Sequence, residues 1–101
     1  MKRQPNTFQL MLGSNIDAQN NLRLARCLLI LQFHDVIFNK PILTPAIGDH
    51  ARGFYLNQSA TLQTYLTKEQ LHLQLKQIEY RLHSFKRHHR KGVVRIDIDI
   101  L

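Results

Sequence analysis

The chain has few of the residues that mark the more specialised protein classes. It has 101 residues with one cysteine, no tryptophan and three prolines. No disulfide can form within one chain, and we expect Cys27 to be a small buried hydrophobe in a helix. No apolar run approaches the length of a membrane span, and no apolar segment follows the charged N-terminus. These absences predict a single domain over residues 1–101 that is cytoplasmic, without a secretory signal or a membrane partner.

Acidic residues are scarce beside basic ones. The chain carries 14 lysines and arginines against 7 aspartates and glutamates, a net charge of +7. This balance favours anionic partners such as nucleotide phosphates, nucleic acid or acidic surfaces. Residues 86–91 read Lys-Arg-His-His-Arg-Lys and concentrate the charge. The run is interpreted as a solvated loop, a phosphate clamp or a nucleic-acid patch.

Hydrophobic periodicity predicts two helices and four strands in the order βαββαβ. The strands are expected at 7–12, 36–38, 54–64 and 94–101, the helices at 18–33 and 68–83, and a loop at 42–53. Asn15 or Asp17 is expected to cap the first helix, and Thr67 with Gln70 forms a capping box for the second. Two split βαβ units predict an α+β, ferredoxin-like fold. Its four-stranded antiparallel sheet would carry both helices on one face.

The last strand places two aspartates on one face. Side chains alternate along a strand, so Arg95, Asp97 and Asp99 form a polar row opposite an apolar one. The two carboxylates would lie about 6.5–7 Å apart and repel by about 2.5 kcal/mol at an effective dielectric of about 20. In a cleft they would attract a cation, and the usual occupant of such a site is Mg²⁺ bound between carboxylates and phosphates. The alternative is a solvated face on which Arg95 pairs with Asp97.

The third strand carries a second candidate pair on its polar row. Tyr55 can stack on a flat heterocycle, while the carboxamide of Asn57 can recognise a donor–acceptor edge. The alternative is that Tyr55 merely covers the sheet and that Asn57 lies at a bend. Glu79, on the second helix, is interpreted first as half of a surface ion pair with Lys76 or His83.

Five short motifs together resemble those of the 6-hydroxymethyl-7,8-dihydropterin pyrophosphokinase family. They occur in the family's order and span nearly the whole chain. They are Leu12-Gly13-Ser14-Asn15, Thr44-Pro45-Ala46-Ile47-Gly48, Tyr55-Leu56-Asn57, Ile78-Glu79 and Asp97-Ile98-Asp99-Ile100-Leu101. The family transfers pyrophosphate from ATP to the pterin hydroxymethyl group in folate biosynthesis and releases AMP.

The resemblance implies roles for individual residues. Asp97 and Asp99 would hold Mg²⁺, which bridges the ATP phosphates. The pterin would contact Thr44, Pro45, Ile47, Tyr55 and Asn57. The nucleotide would contact Glu79, Lys86, Arg90 and Ile100. The catalytic cations would be Lys86, Arg90 and Arg95.

The sequence also departs from the family pattern. The family has Gly-Arg-x-Arg where this chain has His83-Ser84-Phe85-Lys86, and Lys86 lacks the planar fork of arginine. The arginine before the aspartates has moved one place, to Arg95, which on a strand turns it to the other face. The family normally continues for about another third of its length beyond the aspartates, so we expect a short form.

Two alternatives to catalysis stay open at this point. One is a non-catalytic homologue that binds a pterin or a nucleotide, or that completes its site in a homodimer through exposed sheet edges. The other is a nucleic-acid-binding domain, since a four-stranded sheet with an open face beside a basic loop also suits RNA. Few aromatic side chains lie on the open face and the paired aspartates would repel a phosphate backbone, so nucleic acid is the less favoured partner.

Overall fold

The computed structural model describes residues 3–45 and 53–101, which form an antiparallel sheet covered on one face by two long helices. Strands β1 and β4 are the longest and lie at the centre. The elements in chain order are β1 (Asn6–Ser14), α1 (Ala18–Phe33), β2 (Val36–Phe38), β3 (Ile42–Pro45), β4 (Phe54–Thr64), α2 (Lys68–Arg81), α3 (Lys86–His89) and β5 (Asp97–Ile100).

The expected α+β antiparallel class is confirmed. The expected number of four strands is wrong, because the described residues form a sheet of five. The order is β2-β4-β1-β5, and β3 also pairs with β4. The expected loop at 42–53 begins with this fifth strand. β2 covers only Ala60 to Leu62 of β4, which leaves the β4 edge near Asn57 free to pair with Ile42. Four residues are too few for a periodic signal, and the pairing depends on this distant edge.

Alternation along the strands separates a core face from an open face. The core is aliphatic and joins the sheet to both long helices. Its fully buried members are Leu10, Leu12, Leu22, Ala25, Leu29, Ala60, Leu62, Leu71, Leu75, Ile78, Ile96 and Ile98. The polar rows of β1, β4 and β5 consequently point to the side without helices, as the sequence predicts.

The helix ends follow the sequence in one case and not in the other. The Thr67–Gln70 capping box of α2 is confirmed, with both reciprocal hydrogen bonds present. The expected cap of α1 is wrong, because Asp17 stands at the N-cap with a left-handed backbone and caps nothing with its side chain. The helix α2 ends at Arg81, two residues earlier than predicted. Within the described residues no helix is long and apolar enough to cross a membrane.

Cys27 is exposed, so the prediction that it is buried is wrong. The inward face of α1 is set by Leu22, Ala25 and Leu29. Because each residue turns the helix by about 100°, Cys27 lies on the far side from Ala25.

The strands around the aspartates also differ from the predicted bounds. β1 continues through Gly13 and Ser14, where a break was expected, because both pair with β4. β5 begins at Asp97 rather than Val94. The Asn15 side chain accepts from Val94 N at 2.7 Å and donates to Gly92 O at 2.6 Å, replacing strand pairing there. Asn15 therefore fixes the chain that leads into β5.

Candidate active site

A cavity of about 300 Å³ opens on the helix-free face of the sheet, where β1, β3, β4 and β5 meet. One cross-strand row runs through it, since Gly13 is opposite both Asn57 and Asp97. Directly opposed residues of antiparallel strands share a face, so these positions converge. The lining residues are Met11, Gly13, Thr44, Pro45, Tyr55, Asn57, Val94, Asp97 and Asp99.

The carboxamide of Asn57 is oriented by its neighbours. Its Nδ2 donates to Thr44 Oγ1 at 2.5 Å, so β3 fixes which way the amide points. A Cβ on Gly13 would lie 3.0 Å from Asn57 Oδ1, closer than side chains normally approach. The amide oxygen therefore lies over a glycine and remains available as an acceptor in the cavity.

The two aspartates give this cavity a negative end. Asp97 and Asp99 leave β5 on the open face, on either side of buried Ile98. Burial raises the pKa of Asp99, and its interaction with Asp97 raises it further, while Lys76 opposes the shift. Burial also raises the pKa of Tyr55, with a contribution from the Asp97 charge, so the phenol stays neutral at ordinary pH. These carboxylates are arranged to attract a cation.

Lys76 is the cation that faces them. Its Nζ lies 3.7 Å from Asp97 Oδ1 and 3.7 Å from Asp99 Oδ1. Burial alone would lower the pKa of Lys76, but the Glu79 hydrogen bond and the surrounding carboxylates raise it. Within the described residues Asp97 pairs with Lys76 and not with Arg95, so that alternative is wrong.

A second cavity, of about 670 Å³, lies between α2, α3 and β5. Asp97 lines this cavity as well as the first, so the two spaces share that residue. The second cavity is lined by His72, Lys76, Glu79, Tyr80, Ser84, Phe85, Lys86, His89 and Asp97. Its basic side chains and aromatic rings suit an anionic ligand with a flat group.

Side chains of α2 and the turn after it hold the outer edge of β5. Glu79 is only 6% exposed, and its Oε2 accepts from Ile98 N at 2.7 Å and from Lys76 Nζ at 2.8 Å. Ser84 Oγ donates to Ile96 O at 2.6 Å and accepts from Ile96 N at 3.1 Å. The Lys76 pairing of Glu79 is confirmed, but its surface location is wrong. In the described part of the chain, the bonds to Ile98 and Ile96 take the place of strand pairing at this edge.

Ser84 and His89 are adjacent without forming a nucleophile–base pair. Ser84 Oγ lies 3.0 Å from His89 Nε2. The hydroxyl already donates its proton to Ile96 O, so His89 Nε2 must carry the hydrogen that joins the two. This pair attaches α3 to β5 and offers no acceptor for an activated hydroxyl.

The structure brings together six of the residues singled out in the sequence. The first cavity joins Thr44, Pro45, Tyr55 and Asn57 to Asp97 and Asp99. The role of each residue stays a prediction.

The remaining candidates are more dispersed. Lys86 and Glu79 line the second cavity, whereas Arg90 and Arg95 are exposed and line neither of the two spaces in the described part of the chain. Ile100 lines a further depression beside α2. The expected contact at Ile47 lies outside the described residues.

Three residues lie at the site that the sequence analysis did not propose as site residues. Lys76 was visible only as a partner of Glu79, although it faces both aspartates. His72 lies one helical turn before Lys76 and lines the second cavity. The i, i+4 spacing of His72 and Lys76 on α2 was the available signal, because it places them on one helix face. Gly13 was part of the first motif and of an expected break in β1, with no role assigned to it.

A known protein family matches this chain over the elements that carry the site. The model of the family 7,8-dihydro-6-hydroxymethylpterin-pyrophosphokinase matches residues 9–101, which include every described residue of both cavities. A comparison with curated proteins found no match. The family match covers most of the chain, and its two ends lie in β1 and just after β5. The chain therefore belongs to the 7,8-dihydro-6-hydroxymethylpterin-pyrophosphokinase family.

Proposed function

We propose that this chain transfers pyrophosphate from ATP to 6-hydroxymethyl-7,8-dihydropterin, a cytoplasmic step of folate biosynthesis. The observation that supports this most directly is the position of Asp97, which lines both cavities. A two-substrate transfer needs the acceptor and the donor phosphates to meet at one point. A carboxylate that lines both spaces is suited to hold a cation between the two substrates.

The first cavity suits the pterin. With Asn57 Nδ2 engaged by Thr44, the amide oxygen is left to accept an N–H from the edge of the heterocycle. Tyr55 offers a neutral aromatic ring beside it. Pro45, whose ring fixes its backbone φ angle, lines the same cavity. A flat ligand with a donor edge would therefore be both oriented and partly shielded from water.

The two aspartates of β5 fit Mg²⁺. Asp97 and Asp99 supply hard carboxylate oxygens, and Mg²⁺ commonly takes one or two carboxylates together with phosphates and water. No cluster of three or more potential ligands occurs among residues 3–45 and 53–101, so phosphate and water oxygens would complete the coordination. When bound, Mg²⁺ would neutralise charge on the phosphates during transfer.

The protein's own residues would mainly position the two substrates. In the transfer, the pterin hydroxymethyl oxygen forms a bond to the β-phosphorus of ATP. The bond from that phosphorus to the oxygen of the α-phosphate breaks, AMP leaves with that oxygen, and the hydroxyl proton passes to water. Lys86 in the second cavity would bind phosphate oxygens, while Arg90 and Arg95 would have to approach from the surface. Such chemistry depends on positioning and electrostatic stabilisation rather than on a covalent intermediate.

A calorimetric titration with 6-hydroxymethylpterin tests the proposal. We expect binding that strengthens when Mg²⁺ and a non-hydrolysable ATP analogue are present, followed by AMP release in a turnover assay with ATP. Asn57→Ala should weaken pterin binding by about tenfold, the equivalent of one hydrogen bond. Absence of pterin binding under all these conditions would refute the proposal.

Gly13→Ala gives a second prediction about the same cavity. The new Cβ would contact Asn57 Oδ1 at 3.0 Å and Tyr55 Cδ1 at 3.9 Å, so the amide must shift by a few tenths of an ångström. We expect pterin affinity to fall by about tenfold for one misaligned hydrogen bond, with little change in the thermal midpoint. Gln9→Ala, on the same strand and face, is the control and should bind pterin normally. Equal affinities for the Gly13 variant and the wild type would contradict the assigned acceptor.

A second candidate function is pterin binding without transfer. It is favoured by the positions of Arg90 and Arg95, which are exposed and do not line the second cavity. Among the described residues, Lys86 is the predicted catalytic cation that lines this cavity. Pterin binding that is insensitive to Mg²⁺ and nucleotide, with no AMP formed, would identify this case.

A further inference from the structure

One ammonium group occupies the space between the carboxylates of the site. Lys76 Nζ lies 2.8 Å from Glu79 Oε2 and 3.7 Å from one oxygen of each aspartate. It also donates to Ile98 O at 3.4 Å. Among residues 3–45 and 53–101, one cation thus lies between three carboxylates on two elements, α2 and β5.

We propose that Lys76 is a built-in counter-ion of the metal site, which a divalent ion must displace and which then binds the phosphates of the nucleotide. This inference rests on the proposed function, since it takes Asp97 and Asp99 as the metal carboxylates. It adds a residue that couples metal binding to nucleotide binding.

The distances set up a competition. Mg²⁺ binds oxygen at about 2.0–2.1 Å, so an ion held by both aspartates must enter the region that the ammonium now shares with them. A divalent ion and an ammonium a few ångströms apart repel strongly in a partly buried site. The Lys76 side chain is 34% exposed, so its end can move without unfolding the helix. Metal entry therefore requires the ammonium to turn away.

The cavity beside α2 gives that ammonium room to turn away from the aspartates. Lys76 lines the cavity between α2, α3 and β5, together with Lys86 and His89. Without an anion, a displaced Lys76 would join these basic groups at an electrostatic cost. With a polyphosphate in the cavity, the same movement would bring it a new partner. The metal ion should consequently bind weakly by itself. Nucleotide should strengthen metal binding by more than the contact between the metal ion and the phosphates alone would.

Glu79 makes Lys76 a better candidate for this role than the other nearby cations. Its buried carboxylate accepts from Ile98 N as well as from Lys76, so it keeps a partner when the ammonium leaves. The two residues are three positions apart on one helix, which keeps the lysine close to the site in either position.

Mn²⁺ binding, followed by the electron paramagnetic resonance of the free ion, tests the proposal without any turnover. Lys76→Gln removes the charge but can still donate to Glu79, so the fold should persist. We expect this variant to bind Mn²⁺ alone about tenfold more tightly than the wild type. We also expect a non-hydrolysable ATP analogue to strengthen its Mn²⁺ binding less than it does in the wild type.

Two further variants separate charge from other effects. Lys76→Arg keeps the charge and should bind Mn²⁺ alone as weakly as the wild type. Lys40→Gln removes the same charge at an exposed position between β2 and β3 and should leave Mn²⁺ affinity unchanged. Circular dichroism of each variant verifies the fold before binding is measured.

The outcomes distinguish this proposal from the function on which it rests. Measurable Mn²⁺ binding of equal affinity in the wild type, Lys76→Gln and Lys76→Arg would overturn the counter-ion role and leave the metal site standing. No Mn²⁺ binding to any folded variant, with or without nucleotide, would overturn both the metal assignment and the counter-ion role. Pterin binding, measured separately, would show whether the acceptor cavity survives that result.

Discussion

Asp97→Asn is expected to reduce Mg²⁺-dependent AMP formation by about a hundredfold or more, the effect typical of losing a group that stabilises transition-state charge. Asp97 lines both cavities, so in the proposed function its carboxylate would help Asp99 hold the metal ion between the two substrates. Asparagine keeps the size of the side chain and removes the charge. The same substitution should abolish the Mg²⁺-dependent part of nucleotide-analogue binding, which calorimetry measures independently of turnover.

The variant should remain folded. Asp97 loses an ion pair with Lys76 but also its repulsion of Asp99, and the pair is partly exposed. Exposed ion pairs contribute at most about 1 kcal/mol, so the urea midpoint should change little. Asp35→Asn, an exposed carboxylate outside both cavities, is the matched control. Wild-type dependence on Mg²⁺ in Asp97→Asn would contradict the metal assignment.

Side-chain periodicity in the sequence predicts most of the fold. Leu71, Leu75 and Ile78 recur at helical spacing and lie in the core as that spacing predicts. The alternation around Ile98 predicts that both aspartates face away from the helices. These features depend on residues close together in the chain, so a local pattern is enough to predict them.

The fifth strand could not be predicted in the same way. Ile42–Pro45 carries no clear alternation, and its strand conformation depends on pairing with the free edge of β4. The late start of β5, at Asp97 rather than at Val94, has a similar cause. Asn15 and Ser84 bond to the backbone of Val94 and Ile96, and neither contact is visible in the spacing of apolar residues.

The candidate site could likewise be predicted only in part from local sequence patterns. A polar row on a strand indicates which side chains share a face, and this was enough to group Asp97 with Asp99. It gives no information about the helix that packs beside the strand edge. The contact of Lys76 with both aspartates and the burial of Glu79 arise from the position of α2 against β5, a tertiary relationship.

Glu79→Ala is expected to lower the free energy of unfolding by about 3 kcal/mol, the loss typical when one partner of a buried pair is removed. The substitution leaves the Ile98 N–H without an acceptor at the outer edge of β5 and removes the closest partner of Lys76. Glu79→Gln keeps one acceptor and should lower the free energy of unfolding by less. Urea denaturation measures both, and Glu69→Gln, in the exposed first turn of the same helix, is the control.

This substitution also distinguishes two roles for Glu79. A residue that only bound nucleotide would lose nucleotide affinity on mutation and leave stability unchanged. If Glu79 holds β5 in place, its mutation would lower the stability of the protein. Metal binding would weaken as well, because Ile98 lies between the two aspartates. We expect the second pattern, since the Glu79 carboxylate is buried and bonded to the strand itself. Unchanged stability with weakened nucleotide binding would instead make Glu79 a direct ligand.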